Sequence, residues 1–445
     1  MMNRIQRARE LTLTAQHFVG ARWRWQHLRG SALEQYQEQR AQAIVAYAAQ
    51  HAPFYRTHWA GHDLHAWRTL PTVDKQLMMQ NFDGFNSRGV KLAEAMHIAL
   101  KAEQERDFQP MLGNLTVGLS SGTSGHRGLF LVSLEERAGW AGVMLARALH
   151  DLHPRRLRVA FFLRSNSNLY EQIGGLLLQF RYFDLMWPLN ATIAQLNALQ
   201  PDIIVGPPSL LGMLAAAQQR DELRVHPERL IAVAEVLEPQ DKGMLEEVFG
   251  VSVQQIYQCT EGLLAVSCAY GSLHVQEDLV ALQCEPLTDD DKRRVTPIVT
   301  DLWRMAQPII RYRLNDVLRL AGHPCPCGSA FRVIEAIEGR CDDLCYFSQF
   351  SGERRAFFPD TIRRMILLAS PSIADYQVVQ ERDDQLHIYL TVSARANFAQ
   401  VVEQVRERIA AIIAEYDCVP ASVVIEEGLK PLASGQKRRR VQRLR

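Results

Sequence analysis

The sequence predicts an α/β protein with a large multi-layer N-terminal domain, residues 1–340, and a smaller mobile α+β domain, residues 341–445. The chain has 445 residues, which exceeds one ordinary core because domains usually hold roughly 100–200 residues. Short apolar runs alternate with helical segments from about residue 115, as in a layered α/β domain. Two strand-like runs and one helix follow residue 340 and predict the smaller unit.

Residues 1–110 are predicted to be mostly helical. Residues 31–49 are rich in good helix formers, and Pro53 ends that helix. Residues 70–75 are typical of a turn that leads into a capped helix. Strands of the large domain are predicted at 116–119, 129–132, 159–163, 203–205 and 230–236, with a helix at 135–149. Strands of the small domain are predicted at 376–380 and 386–392, with a helix at 399–416.

Composition and charge exclude several classes of protein. The formal net charge is +1, so nothing global points to a nucleic-acid partner. The N-terminus lacks the apolar core of a signal peptide, and no run of about 18 uncharged apolar residues predicts a membrane span. We therefore expect a cytoplasmic protein without stable membrane insertion, whose eight cysteines are mostly reduced thiols. The basic amphipathic N-terminus is expected to pack on the body of the protein, with membrane-surface binding as the alternative.

A loop rich in Gly, Ser and Thr follows the apolar run at 116–119. Its residues are Ser120, Ser121, Gly122, Thr123, Ser124 and Gly125. The glycines permit tight turns that point successive backbone N–H groups at phosphate oxygens, and the hydroxyls add donors. The loop lacks the lysine of a Walker motif, which disfavours a Walker-type NTPase. A solvated Ser/Gly turn is the alternative interpretation.

Two further apolar runs end in polar side chains that could bind a nucleotide. Tyr257, Thr260 and Glu261 supply an aromatic ring, a hydroxyl and a carboxylate, which suit base stacking and Mg²⁺ coordination. Asp316 closes an Arg-Tyr-Arg-Leu-Asn-Asp segment, and its carboxylate can accept both hydroxyls of a ribose. The alternatives are a solvated Glu261 and an Asp316 that pairs with one of the two arginines before it.

Five motifs in one order carry a resemblance to a known family. They are the Gly/Ser/Thr loop, Tyr-x-x-Thr-Glu, Arg-Tyr-Arg-x-x-Asp, Gly-Arg-x-Asp-Asp and a C-terminal Gly-x-Lys-x-x-Arg. This set resembles the adenylate-forming superfamily of acyl-CoA synthetases, adenylation domains and luciferases, from about residue 115 to the end of the chain. A Cys-Pro-Cys-Gly segment shortly after Arg-Tyr-Arg is similar to the phenylacetate–CoA ligase branch.

The resemblance implies roles for the matching residues in binding ATP. Residues 120–125 would grip the β- and γ-phosphates. Tyr257 would stack near the adenine, and Thr260 would contact the α-phosphate. Glu261 would hold Mg²⁺, and Asp316 would bind the ribose hydroxyls.

The resemblance also implies roles for three residues near or within the small domain. Arg340 would reach phosphate, Asp342 would lie at the hinge between the domains, and Lys437 would bridge the substrate carboxylate and the α-phosphate. A lysine on a mobile lid can neutralise the charge that develops when a carboxylate attacks ATP, and can then leave for the next half-reaction.

Two departures from the family pattern concern the lysines. The loop continues as Arg127-Gly128 where the superfamily commonly has Pro-Lys, although the phenylacetate–CoA branch often lacks that lysine too. Gln436 is inserted before Lys437, so the register of the catalytic lysine is open. Lys437 keeps the Lys-x-x-Arg spacing, and Lys430 is the alternative.

A separate set of residues suits a metal ion. Cys325 and Cys327 form a tight Cys-x-Cys turn, and Cys268 and His274 follow the Thr-Glu motif. Three thiolates and one imidazole would complete a closed tetrahedral Zn²⁺ site, which is structural rather than catalytic. Reduced thiols in a turn are the alternative.

The sequence therefore predicts an ATP- and Mg²⁺-dependent, AMP-forming acid–thiol ligase. A carboxylic acid would become an acyl-adenylate and pass to the thiol of CoA or of an acyl carrier protein. The aromatic run at 180–187 favours an aromatic acid. Adenylyl transfer to a hydroxyl or amine, and a non-catalytic nucleotide-binding homologue, are the alternatives. The identity of the acid, the acceptor and the oligomeric state are left open.

Overall fold

The computed structural model contains two compact units, which are described separately. It describes residues 4–105, 107, 110–120, 127–148, 155–163, 178–185, 187–287, 291–393, 396–430 and 439–444. The larger unit comprises Met1–Leu314 and Arg319–Ala336, and the smaller unit comprises Asn315–Leu318 and Ile337–Arg445. Within the described ranges, no helix is both long enough and apolar enough to cross a membrane.

Helices form the N-terminal part of the larger unit. They are α1 Arg4–His27, α2 Gly30–His51, α3 Pro53–His58, α4 Lys75–Gln80, α5 Phe82–Phe85 and α6 Leu92–Glu105, with a 3₁₀ helix at Leu64–Thr69. Asp74 caps α4, because its carboxylate accepts a hydrogen bond from the Leu77 N–H at 2.8 Å. The turn and capped helix expected at residues 70–75 are therefore present.

A small antiparallel sheet follows the helices. Its strands are β1 Met111–Leu112, β2 Leu115–Leu119 and β3 Leu129–Val132. Ser133 and Glu136 then form a reciprocal cap that begins helix α7, Leu134–Ala148. Strands β2 and β3 lie on the two sides of the predicted phosphate loop.

Helix α1 packs along α7, and buried ion pairs join it to other elements of the larger unit. Arg24 Nε lies 2.8 Å from an Asp278 carboxylate oxygen. Arg137 Nη2 lies 3.1 Å from a Glu10 carboxylate oxygen. The N-terminal helix therefore packs on the body of the protein, as expected.

A large mixed sheet runs through the larger unit, although residues 316–318 and 337–340 of its last two strands in chain order belong to the smaller unit. Its strands are β4 Leu157–Leu163, β5 Leu178–Asp184, β6 Ile203–Gly206, β7 Arg229–Val233, β8 Val253–Cys259, β9 Gly262–Ser267, β10 Leu273–Val275, β11 Val280–Pro286, β12 Arg294–Asp301, β13 Tyr312–Arg313, β14 Asp316–Leu320 and β15 Val333–Arg340. The strand order is β11-β12-β14-β15-β10-β9-β8-β7-β6-β4-β5, and β13 pairs with β12. Strands β5, β4, β6, β7 and β8 are parallel neighbours, whereas β8 and β9 are antiparallel.

Helices connect the parallel strands and cover one face of them. They are α8 Leu189–Leu199, α9 Pro208–Gln219 and α10 Pro239–Phe249. Phe162 and Phe183 from the strands pack with Leu211 and Leu214 from α9 in one fully enclosed core. All four residues of β6 are buried, as expected for a central strand of a parallel sheet that is covered on both faces.

The smaller unit has its own sheet, helices and core. Its elements are a 3₁₀ helix Cys341–Asp343, β16 Cys345–Ser348, β17 Arg354–Phe357, α11 Pro359–Leu367, β18 Ile373–Arg382, β19 Gln385–Val392, α12 Phe398–Glu415, β20 Ser422–Glu427 and β21 Val441–Arg443. The main sheet has the order β20-β19-β18-β21, and its apolar side chains pack with those of α11 and α12. The predicted fold class, a large α/β domain with a smaller α+β domain, is confirmed. The mobility of the smaller domain stays a prediction.

Candidate active site

Thr260 and Glu261 form the two-residue turn of a β-hairpin. Strands β8 and β9 pair so that Cys259 faces Gly262 across this turn. Because β8 ends a row of parallel strands, the turn lies at their carboxyl edge, where open α/β sheets bind ligands. The Thr260 hydroxyl donates to the Glu261 carboxylate at 2.9 Å, and Glu261 is 8% exposed.

Arg304 anchors this turn through a buried polar network. Its guanidinium donates to the carbonyl oxygen of Thr260 and, at 3.3 Å each, to the Leu131 carbonyl and the Gln307 side-chain carbonyl. Gln307 accepts a hydrogen bond from the Leu131 N–H at 2.9 Å and donates to the Leu129 carbonyl at 3.2 Å. One network therefore joins the turn to β3, the strand that follows the predicted phosphate loop.

A narrow cleft, with no room for a water molecule in this structure, lies beside the turn. It is lined by Met78, Leu129, Phe130, Thr260, Glu261, Arg304, Gln307 and Ile309. Residues of α4 and β3 supply much of the apolar wall, whereas Glu261 and Arg304 supply opposite charges. The cleft therefore combines the predicted Mg²⁺ ligand with the strand next to the loop.

Two titratable groups near the turn have raised pKa values. Burial raises the pKa of the Asp301 carboxyl to about 6, although that carboxylate accepts hydrogen bonds from the N–H groups of Trp303 at 2.8 Å and Arg304 at 3.0 Å. Burial, together with the negative charge of Glu261, raises the pKa of Tyr312. The Tyr312 phenol therefore stays protonated next to the carboxylate.

The neck of the predicted phosphate loop is closed by two hydrogen bonds. The Ser120 N–H donates to the Gly128 carbonyl, and the Gly128 N–H donates to the Ser120 hydroxyl oxygen, both at 2.7 Å. Residues 121–125 lie outside the described residues, so their contact with phosphate stays a prediction. Arg127, which follows the loop where Pro-Lys is common, lies 2.5 Å from a Glu103 carboxylate oxygen.

Lys75 is a cation at this neck, and no motif in the sequence marks it as a phosphate-binding residue. Its Cε lies 3.2 Å from the position that a Cβ on Gly128 would occupy, and the Ser120 Oγ lies 3.4 Å from the same position. Lys75 begins α4 directly after the capping residue Asp74. The local signal for the helix start was visible in the sequence, but only the fold brings this helix to the loop.

Asp316, Arg340 and Asp342 lie in the smaller unit. Arg340 Nε lies 3.7 Å from an Asp316 carboxylate oxygen. The side-chain amide of Asn315 donates to the Asp342 carboxylate, and the Asn315 carbonyl accepts the Cys341 N–H at 2.8 Å. The predicted ribose, phosphate and hinge residues therefore sit on adjoining segments of this unit.

The two arginines considered as alternative partners of Asp316 have other contacts. Arg311 donates to the side-chain carbonyl of Gln283 at 2.8 Å. Arg313 forms a two-pronged ion pair with Glu285, in which Nη2 lies 2.8 Å from Oε1. Both pairs belong to the larger unit.

Tyr257 and Lys437 are the two remaining residues of the predicted site. Tyr257 is half-buried in β8, opposite Ala265, and its stacking on adenine stays a prediction. Lys437 lies outside the described residues. Strand β21 begins four residues after it, at Val441, and pairs in parallel with β18 at Val378.

The four residues considered for a metal ion meet in the larger unit. The ligand atoms of Cys268, His274, Cys325 and Cys327 all lie within 4.8 Å of one another. Cys268 follows β9, His274 lies in β10, and the two other cysteines lie between β14 and β15. The sheet therefore assembles a Cys₃His set from two segments of the chain.

No family model and no curated protein matches the sequence. Solved structures match along most of its length. A 2-hydroxyisobutyryl-CoA ligase in the postadenylation state, in complex with R3-HIB-AMP, is 18% identical over 95% of this chain and 92% of that chain, with a TM-score of 0.72. An open conformation of the same ligase, with 2-HIB-AMP and CoA, is 19% identical over 94% and 93%, with a TM-score of 0.63. The GH3.15 acyl acid amido synthetase is 12% identical over 89% and 86%, with a TM-score of 0.58.

These matches define the class of fold. The chain has the fold of adenylate-forming ligases, and the resemblance inferred from the five motifs is confirmed at that level.

Proposed function

We propose that this protein is an ATP-dependent, AMP-forming enzyme that activates a carboxylic acid to an acyl-adenylate. The observation that carries the proposal is the Thr260–Glu261 turn at the carboxyl edge of the parallel strands, held by Arg304. In this turn a hydroxyl and a buried carboxylate stand beside the strand that leaves the Gly/Ser/Thr loop. Because the fold is that of adenylate-forming ligases, we assign acid activation to the residues of this turn.

The donor set suits ATP with Mg²⁺. Mg²⁺ prefers carboxylate and phosphate oxygens, and Glu261 offers a carboxylate in a cleft. Bound Mg²⁺ would neutralise charge on the phosphates. The Thr260 hydroxyl would donate to the α-phosphate, and the loop N–H groups together with the Lys75 ammonium would hold the β- and γ-phosphates.

For the acceptor we propose the thiol of CoA, with an acyl carrier protein as the second choice. Two of the matching structures are named as CoA ligases. An amine is the alternative acceptor, since another match is named an acyl acid amido synthetase.

We propose an aromatic acid as the substrate. Phe161 and Phe180 pack at 5.1 Å between ring centres on one face of the parallel strands, and Phe180 is half-buried. Phe183 from the same aromatic run stacks on Phe162 at 4.8 Å within the core. Much of that run therefore serves packing, and the proposal of an aryl acid rests on the half-buried Phe180 alone.

A pyrophosphate-exchange assay with a panel of aryl, alkyl and hydroxy acids tests the reaction, and AMP release with CoA or amines then tests the acceptor. Glu261→Gln is expected to lower kcat/KM for exchange by about 100-fold or more, as loss of one preorganised charge-stabilising group does. Glu247→Gln, an exposed glutamate on α10, is the matched control and should not change it. Absence of exchange with every acid, together with ATP binding that Glu261→Gln leaves intact, would favour a non-catalytic nucleotide-binding protein.

A further inference from the structure

We propose that Cys268, His274, Cys325 and Cys327 hold one Zn²⁺ ion in a closed, structural site. All four lie in the larger unit, and their ligand atoms lie within 4.8 Å of one another. Cys268, His274 and Cys325 are buried, and Cys327 is half-buried. The proposal stands apart from the enzymatic one, because it concerns stability and is tested by metal content.

Two of the six distances between ligand atoms match the edges of a tetrahedron around zinc, and all six are at most 4.8 Å. With Zn–S bonds of about 2.3 Å and a Zn–N bond of about 2.0–2.1 Å, a tetrahedron has S–S edges of about 3.8 Å and S–N edges of about 3.6 Å. Cys268 Sγ and Cys325 Sγ are 3.7 Å apart. Cys327 Sγ and His274 Nε2 are 3.4 Å apart. A disulfide requires about 2.05 Å between the sulfurs, so Cys268 and Cys325 are free thiols that a metal ion can bind.

His274 presents the correct nitrogen to this set. Its Nδ1 lies 2.9 Å from the Phe331 carbonyl oxygen, so Nδ1 carries the proton and donates. Nε2 then keeps its lone pair, and it is the atom that lies next to Cys327. A backbone carbonyl on the second ring nitrogen is the usual way in which proteins orient a metal-binding histidine.

The Cys-x-Cys turn places a backbone N–H next to a sulfur of the cluster. Gly328 has a φ of +76°, a left-handed conformation that glycine adopts without strain. This turn lets the Ser329 N–H face the Cys327 sulfur at 3.5 Å. A metal-bound sulfur can accept such an N–H contact, so the turn is compatible with zinc coordination by Cys327.

The position of the site explains what the ion would stabilise. Strand β9 runs from the Glu261 turn to Cys268, and the ion would join this strand to a segment 57 residues further along the chain. Trp25 of α1 packs edge-on against His274 at 5.1 Å and against Phe331 at 5.2 Å. Four protein ligands leave no open position for a substrate, so the ion would hold β9 and α1 in place.

Metal analysis of the purified protein tests the proposal. We expect about one zinc per chain, with X-ray absorption showing three sulfur ligands and one nitrogen ligand. Cys268→Ser and Cys327→Ser should each lower the zinc content by about tenfold. Cys284→Ser is the matched control, because Cys284 is a half-buried thiol in β11 outside the cluster, and it should keep its zinc.

A ligand variant can unfold, so the wild-type chain is tested in parallel. A mercurial reagent should release zinc as the cluster thiols are modified, and Co²⁺ exchanged into the protein should give the visible absorption of a tetrahedral thiolate site. Wild-type protein without zinc, a Cys268–Cys325 disulfide, or equal zinc in Cys284→Ser and Cys327→Ser would overturn the proposal. Full zinc content without pyrophosphate exchange would count against the proposed function alone.

Discussion

Replacing Arg304 with methionine is expected to weaken acid activation, although Arg304 lies behind the turn that carries Thr260 and Glu261. The substitution removes the hydrogen bond that fixes the Thr260 carbonyl. A hydrogen bond from a charged donor contributes about 1.5–3 kcal/mol. Since about 1.4 kcal/mol corresponds to a tenfold change in rate, loss of this contact predicts a fall of roughly 10- to 150-fold in kcat/KM.

The same substitution is expected to lower stability, because the Leu131 carbonyl loses a buried donor, whereas the Gln307 side-chain carbonyl keeps the Leu131 N–H. Loss of a buried donor of this kind costs about 1–3 kcal/mol. Urea unfolding measures this loss of stability separately from the loss of pyrophosphate-exchange activity. Arg304→Lys keeps a cation but lacks the fork of the guanidinium, so it should fall between wild type and Arg304→Met.

Arg155→Met is the control for Arg304→Met. Arg155 precedes β4 at the amino edge of the parallel strands and pairs with Asp202 at 2.9 Å. It should leave exchange unchanged. A folded Arg304→Met protein with wild-type kcat/KM would refute the role that we assign to Arg304 in positioning the turn.

Three further predictions follow from single contacts. Lys75→Ala should raise the KM for ATP about tenfold in initial-rate assays, because it removes a cation beside the neck of the loop. Burial raises the pKa of Asp301 to about 6, so the folded state binds that proton more tightly than the unfolded state does. Wild-type stability should therefore decline as the pH rises from about 4 to about 6. Asp301→Asn should remove this pH dependence of thermal unfolding. Gly142→Ala should lower the free energy of unfolding by about 1–3 kcal/mol in urea, because its Cβ would stand 2.3 Å from the Thr14 carbonyl oxygen of α1.

Each of these predictions has a control or a contrary outcome. Lys101→Ala, an exposed lysine on α6, should leave the KM for ATP unchanged. Gly243→Ala introduces a Cβ with open space around it, so it should be neutral or stabilising by about 0.5–1 kcal/mol. If Lys75→Ala and Lys101→Ala changed the KM for ATP equally, the role of Lys75 at the loop would be contradicted. If Gly142→Ala and Gly243→Ala changed the free energy of unfolding equally, the close contact at Gly142 would be contradicted. An Asp301→Asn protein with the wild-type pH slope would assign that slope to another group.

Several elements were visible in the sequence because local patterns encode them. The strand expected at 203–205 is β6, Ile203–Gly206, and the helix expected at 399–416 is α12, Phe398–Glu415. A central strand buried on both faces is a continuous apolar run, and an amphipathic helix repeats its apolar residues every three to four positions. Strand β5, Leu178–Asp184, was not predicted, since its alternating exposure mixes aromatic and charged residues.

The sequence by itself determined the fold class, the elements with a clear local pattern and the residue types at each motif, because these depend on neighbours along the chain. Only the tertiary structure decided which distant residues meet. Sheet order brings Arg304 to the Thr260 carbonyl, and helix packing brings Lys75 to Gly128. It also sets His274 Nε2 at 3.4 Å from Cys327, a spacing that no residue pattern specifies. Such contacts depend on the three-dimensional packing of whole strands and helices, and that information is absent from local periodicity.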